Sequence, residues 1–380
     1  MHNRKTFKLF SLIVLLILGL TVTSCVGVGT ARSGWSGVVA GEESVYLGSG
    51  AGKLVALNSS NGFYQWQEAL ESAASGGGLG CSGATAAVIY STPVLYGETV
   101  YIGDGNGRLY AFNVSDRQSK NVTLNADKPG AIIGNPLVAF DSVYVGSTDG
   151  NLYAYDAASL TYKWHYNTGG EIWASPALWQ DSVFVASFDK KLYSVDAETG
   201  QANWEKPFEA NGPIIASPVV FGDTVLVASL DRHIYAVNAE TGDLQWSYPA
   251  GETDGEAPKR WLWATPLAGE GKIYASCMDG IVYILDQNSG DLVDIIDIDE
   301  PIASTPVFAG DRLVIATESG KIYSVNTTSY QKIELRNIDA ELASPLGVDG
   351  TTVFIHSTKG NAVYAINGET GALLWSTSLS

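Results

Sequence analysis

The sequence predicts an all-β fold assembled from a repeated unit of roughly 40 residues, and three observations point to it. A proline preceded by a small or polar residue recurs at Pro93, Pro136, Pro176, Pro218, Pro266, Pro306 and Pro345. A turn-forming Asp or Asn closes each unit, at Asn58, Asn113, Asp156, Asp196, Asn238, Asp286, Asn326 and Asn367. Composition leans the same way: of 380 residues 42 are Gly, only 16% are charged and 11% are aromatic. That mix suits short strands and tight turns better than helices, whose surfaces need Glu, Lys and Arg. Eight Asp/Asn positions mark eight repeats, the first carrying Val38 where the others carry proline.

The elements of a unit follow in constant order. After the proline comes a short apolar strand, as in Val100–Gly103 and Val143–Gly146. A polar turn comes next, as in Thr148-Asp149-Gly150 or Met278-Asp279-Gly280. The following strand places Tyr at alternate positions, as in Leu152–Tyr155, and ends in the Asp or Asn. That residue reads as an Asx turn ahead of a glycine that can take positive φ. With the strands on either side, each unit holds four short strands of alternating pattern. One such sheet cannot bury both faces, but stacked between two others it can. The expectation is therefore an eight-bladed β-propeller of four-stranded antiparallel blades over residues 37–380.

A family resemblance rests on the turn and the strand after it. Asp196-Ala-Glu-Thr-Gly200-Gln-Ala-Asn-Trp204 resembles the repeat of pyrroloquinoline-quinone-type propellers, as do the stretches from Asn238 to Trp246 and from Asn367 to Trp375. Trp66 and Trp164 match as well, whereas the copies after Asn113, Asp286 and Asn326 lack the Trp. The resemblance implies that each Trp docks between neighbouring blades. Because repeat eight ends with its own outer strand, from Ala372 to Leu379, the ring is expected to close by packing, with residues 26–36 as an alternative source of an added strand.

The N-terminus reads as a targeting device. Arg4, Lys5 and Lys8 precede the apolar run of residues 9–22, too short to span a bilayer as a helix. Val22-Thr23-Ser24-Cys25 then resembles the bacterial lipobox. The expected division is a lipoprotein-type signal peptide at 1–24, a lipid-anchored linker at 25–36 with acylation on Cys25, and the propeller. Acyl chains at Cys25 would anchor the chain firmly. Val26 stands where inner-membrane retention signals of enteric-type lipoproteins carry Asp. The expected location is extracytoplasmic: the outer membrane where one exists, otherwise the outer surface of the cytoplasmic membrane.

Charge narrows the function. The formal net charge is −18, and removing residues 1–24 leaves 19 bases against 40 acids. That balance argues against binding nucleic acid through its phosphates. The enzymatic branch of the resembled family implies a vicinal Cys–Cys ring, a calcium site and a much longer chain. Here three Cys stand apart, at Cys25, Cys81 and Cys277. No cofactor, metal or catalytic residue is therefore expected, and Cys81 and Cys277 are read as two unpaired thiols. Gly76–Gly80 reads as a flexible loop, Asp104–Gly107 as a hairpin turn rather than a calcium loop, and the four His as unrelated to one another.

Function in repeat proteins concentrates where copies differ. Two insertions, Glu68–Val88 and Gly251–Arg260, connect an outer strand to the next inner strand and so share one face. The same face should carry the residue three before each proline, from Tyr90 through Trp173 and Trp263 to Leu342, at the mouth of a central funnel. Tyr90, Trp173, Trp263 and nearby Trp261 are the candidate interaction residues, with core packing as the competing role. The resemblance extends to lipoprotein propellers of outer-membrane β-barrel assembly, which implies a non-catalytic, monomeric scaffold with protein partners in the cell envelope and a membrane held through the lipid. The alternatives are a surface saccharide- or peptide-binding protein and a quinoprotein-like enzyme.

Overall fold

The computed structural model describes residues 34–70, 87–125, 127–250, 257–338, 340–357 and 359–379. The described residues form eight separate four-stranded antiparallel sheets, and in each the strands follow chain order from inner to outer. Blade one shows the plan, with strands Val38–Ala40, Ser44–Gly48, Lys53–Asn58 and Tyr64–Ala69. Blades two to eight begin at Val94, Leu137, Ala177, Val219, Leu267, Val307 and Gly347. The second and third strands carry the buried residues, as in the burial of Leu54 to Leu57.

All eight predicted turn residues do the same work. Each side-chain oxygen accepts the backbone N–H three residues on, from Asn61 in blade one, 3.2 Å from Asn58, to Thr370 in blade eight, 2.8 Å from Asn367. Four residues after each turn residue the backbone is left-handed, at Gly62, Arg117, Leu160, Gly200, Gly242, Gly290, Tyr330 and Gly371. At two of these glycines the tryptophan of the preceding blade leaves no room for a side chain: a Cβ on Gly200 would lie 2.6 Å from the Trp164 ring, and one on Gly290 would lie 2.4 Å from Trp246. The Trp164 and Trp204 indoles also donate across the interface, to the carbonyls of Ala197 (3.2 Å) and Ala239 (3.1 Å). The tryptophan thus fastens its blade to the next one.

Eight hydrophobic clusters fill the eight interfaces between neighbouring blades, the last joining blade eight to blade one. Among the described residues no strand is exchanged there, and they close the ring by packing. At this seam Trp375 donates to the Ser59 carbonyl (2.8 Å) and Thr377 to that of Gly62 (2.7 Å). The packing starts ahead of Val38: the His356 ring nitrogen Nδ1 donates to the Ser36 carbonyl at 2.7 Å, and Ser36 Oγ accepts from the Gly48 N–H. The seam also exchanges sizes. Elsewhere a large residue, four before the proline except in blade eight, meets a small residue ending the previous blade's second strand, as Ile132 meets Gly103. At the seam Gly34 takes the large position and His356 the small one.

Candidate functional site: the funnel

The segment entering each inner strand alternates in direction. Four residues before the proline, Ile89, Ile132, Ile172, Ile214, Leu262 and Ile302 are at most 1% exposed and lock into the interblade cores. That anchor turns the next residue toward the axis. Tyr90, Trp173 and Trp263 accordingly line one axial cavity of about 340 Å³, and Trp35 lines it with them. Trp35 was missed because blade one has no proline to mark the position; it stands three before Val38, inside the segment read as linker. Leu342 instead is buried, because Pro345 stands one position earlier against its strand than the other prolines, so Leu342 matches the buried Ile302 and Ala343 matches Ala303 at the wall. Trp261 is half-buried and does not line the cavity; its carbonyl accepts the Met278 N–H.

Side-chain contacts hold the funnel aromatics. The Trp173 indole donates to Glu171 Oε2 at 2.8 Å and its ring lies 4.9 Å from Phe188. The rings of Trp35 and Tyr90 are 4.5 Å apart. Trp263 is 37% exposed and presents the most open face. No Asp, Glu, Lys, Arg or His is among the described residues lining the cavity.

Below the aromatic ring runs a belt that explains the polar residue before the prolines of blades two to six. The Gly37 N–H donates to Thr92 Oγ1, Thr92 to Asn135 Oδ1, Asn135 to Ser175 Oγ, Ser175 to Ser217 Oγ and Ser217 to Thr265 Oγ1, at 2.7–3.3 Å. Each side chain thus ties the backbone of the preceding blade to its own. At the funnel-side hairpins a second device repeats. The hydroxyls of Tyr110, Tyr153, Tyr193, Tyr235 and Tyr283 donate to Asp104, Asp149, Asp189, Asp231 and Asp279. Burial and the partner carboxylate push the Tyr235 hydroxyl up to about 12. These carboxylates also grip the connecting loops: Asp231 accepts from the N–H groups of Asn211 and Gly212, and Asp279 from Lys259 at the end of the second insertion.

Asp104 is a turn residue, as its segment suggested: Oδ1 accepts the N–H groups of Asn106 and Arg108, both at 2.9 Å. Burial raises its carboxyl above the usual range. No group of three potential metal ligands occurs among the described residues. Cys277 is buried and donates to the Arg260 carbonyl (3.4 Å), as Ser229 donates to the Gly212 carbonyl one blade earlier. It replaces a structural serine. Burial pushes its thiol up to about 12, so it is not a nucleophile at neutral pH. Cys25, Cys81 and Gly76–Gly80 lie outside the described residues, as does the acidic part of the second insertion.

Fold and site together define a propeller of pyrroloquinoline-quinone-like repeats with an uncharged aromatic funnel. The family model described as outer membrane protein assembly factor BamB matches residues 26–166 and 161–377, and the chain belongs to that family. Among solved structures, BamB from Moraxella catarrhalis is 18% identical with a TM-score of 0.69, over 87% of this chain and 92% of that one. The computationally designed protein Ika8 is 15% identical with a TM-score of 0.70, over 88% and 96%. At these identities the likeness shows the fold. No curated protein matches the chain.

Proposed function

We propose that this protein is a non-catalytic, extracytoplasmic lipoprotein scaffold that holds a protein partner during outer-membrane protein assembly, acting as a monomer anchored through Cys25. The observation carrying the reading is the family match, which spans both halves of the propeller from residue 26 to 377. The geometry supports it. Loops on the funnel face are pinned by Asp189, Asp231 and Asp279, so they present a preformed surface, and rigid surfaces bind with less ordering cost. The funnel lining offers aromatic and hydroxyl groups in place of an acid–base pair.

The test is recovery of partners from detergent-solubilised outer membranes with the tagged full chain. Stoichiometric recovery of a barrel-assembly insertase is expected, together with palmitate labelling that Cys25→Ser abolishes. Recovery of a labelled, membrane-retained chain without the insertase would sink the scaffold reading. Loss of labelling in neither form would sink the anchor alone.

A further inference from the structure

The funnel is not evenly lined, and its unevenness points to a ligand. The wall position is aromatic in blades one, two, four and six, held by Trp35, Tyr90, Trp173 and Trp263. In blades seven and eight it is alanine, at Ala303 and Ala343. Blades seven and eight are consecutive and lie between the blades of Trp263 and Trp35. The lining therefore contains a recess two blades wide, floored by methyl groups and flanked by two indoles.

The polar belt also stops at this arc. Its last acceptor is Thr265 in blade six, and the equivalent hydroxyl of blade seven, Thr305, lines the cavity without a hydrogen-bond partner among the described residues. Across the ring in blade three, Asn135 uses its Oδ1 for the belt while its Nδ2 has no partner. Two uncommitted polar groups thus sit on opposed walls of an aromatic cavity.

We infer that the funnel is a binding site for a neutral oligosaccharide, one ring of which occupies the alanine recess between Trp263 and Trp35. Charge decides first: in a chain of net charge −18 the lining carries no Asp, Glu, Lys, Arg or His, and a charged ligand would lose hydration without finding a partner. The polar groups decide next. A purely apolar ligand would leave the Thr305 hydroxyl and the Asn135 amide buried and unpaired, which is costly. A sugar offers C–H faces to the indoles and hydroxyls to these two groups. A peptide strand is disfavoured because the inner-edge N–H groups of Thr92, Asn135, Ser175 and Ser217 are already engaged by neighbouring side chains. The cavity, about 340 Å³, falls at the small end of ligand pockets, which run from about 300 to 1,000 Å³.

The experiment is titration of the purified full chain, by calorimetry and tryptophan fluorescence, with maltotriose, cellotriose and the N-acetylglucosamine trimer. A galacturonate trimer, laurate and a blocked Phe-containing tetrapeptide serve as charged, apolar and peptide comparators. Saturable binding of at least one neutral trisaccharide is expected. It should weaken at least tenfold in Trp263→Ala and in Ala343→Leu, which fills the recess, and stay unchanged in Trp179→Phe, a tryptophan at the far end of its inner strand. Melting curves identify any variant that fails to fold, and either of the first two suffices. Failure of all three trisaccharides at millimolar concentration overturns the inference. So does binding that ignores both funnel variants, or preference for laurate or the peptide. None of these outcomes bears on insertase recovery, so this inference and the scaffold reading stand or fall separately.

Discussion

Blades one to six and blades seven to eight are built from the same repeat but held together differently. In the longer arc the belt from Gly37 to Thr265 ties each blade to the next, and Asp–Tyr pairs brace the hairpins of blades two to six. In blade seven the corresponding hairpin relies on half-exposed partners, with Glu300 accepting from Ser319 and Lys321. The buried side-chain polar atoms without a hydrogen bond among the described residues also gather here: Tyr274, Ser276, Ser324, Ser344 and His356 all lie in blades six to eight. Tyr274 shows how this arises. Its counterparts Tyr101 and Tyr144 donate to a carbonyl of the next blade, but Lys272 occupies the matching carbonyl of Thr327. Internal interfaces are helped by the chain that links them, whereas the seam must be specified by side chains alone. Stability should therefore be lowest around the seam.

The largest test compares two tryptophans. Trp204→Ala and Trp375→Ala each remove a buried indole, and each should cost about 3–5 kcal/mol in denaturant unfolding. Hydrogen exchange should separate them. Trp375→Ala should expose blades eight and one together, while Trp204→Ala should loosen only blades four and five. Equal, local effects would break the comparison.

Acid should act on the seam next. Burial lowers the affinity of His356 for a proton, with only the Ser36 carbonyl opposing, and its Nε2 has no partner to welcome one. Unfolded histidine titrates near about pH 6.5. Below that the unfolded chain binds a proton that the folded chain refuses, so stability falls with pH, by at most about 1.4 kcal/mol per pH unit, until the lowered folded value is reached. His356→Gln should flatten that limb of a melting-temperature profile; an unchanged limb would assign the loss to other groups.

A smaller contrast sharpens the same point. Ser217→Ala removes the acceptor of the Ser175 N–H and should cost about 1 kcal/mol. Ser344→Ala removes a buried hydroxyl that has no partner, so it should be neutral or stabilising. Equal losses would mean that the Ser344 hydroxyl is paired after all. The smallest effect belongs to Arg117, exposed and left-handed at φ 61°. Arg117→Gly should gain up to about 1 kcal/mol by relieving that conformation, whereas Leu160→Gly should lose, since Leu160 is buried at its interface.

The funnel was partly legible. Tyr90, Trp173 and Trp263 could be placed because the proline marks a register and the strand alternates around it. Trp35 escaped because Val38 replaces that marker, and Leu342 was misplaced because Pro345 stands one position early, and a one-residue error in register reverses the direction in which a side chain is read to point. Trp261 showed only proximity in sequence. The role of Cys277 emerged once its blade could be laid over the serines of the others.

The sequence by itself determined the blades, since their devices are local: an Asx turn reaches three residues, an Asp–Tyr pair four to six, and a strand's alternation shows in its own pattern. Tertiary structure alone decided that Trp35 joins the other aromatics at the wall, where the polar belt ends and which contacts close the ring. The belt spans some 40 residues between partners, and the His356–Ser36 contact joins residues 320 apart. Neither has a periodic signature. Each depends on closing the ring, which brings the repeats that differ most from the others side by side at the seam.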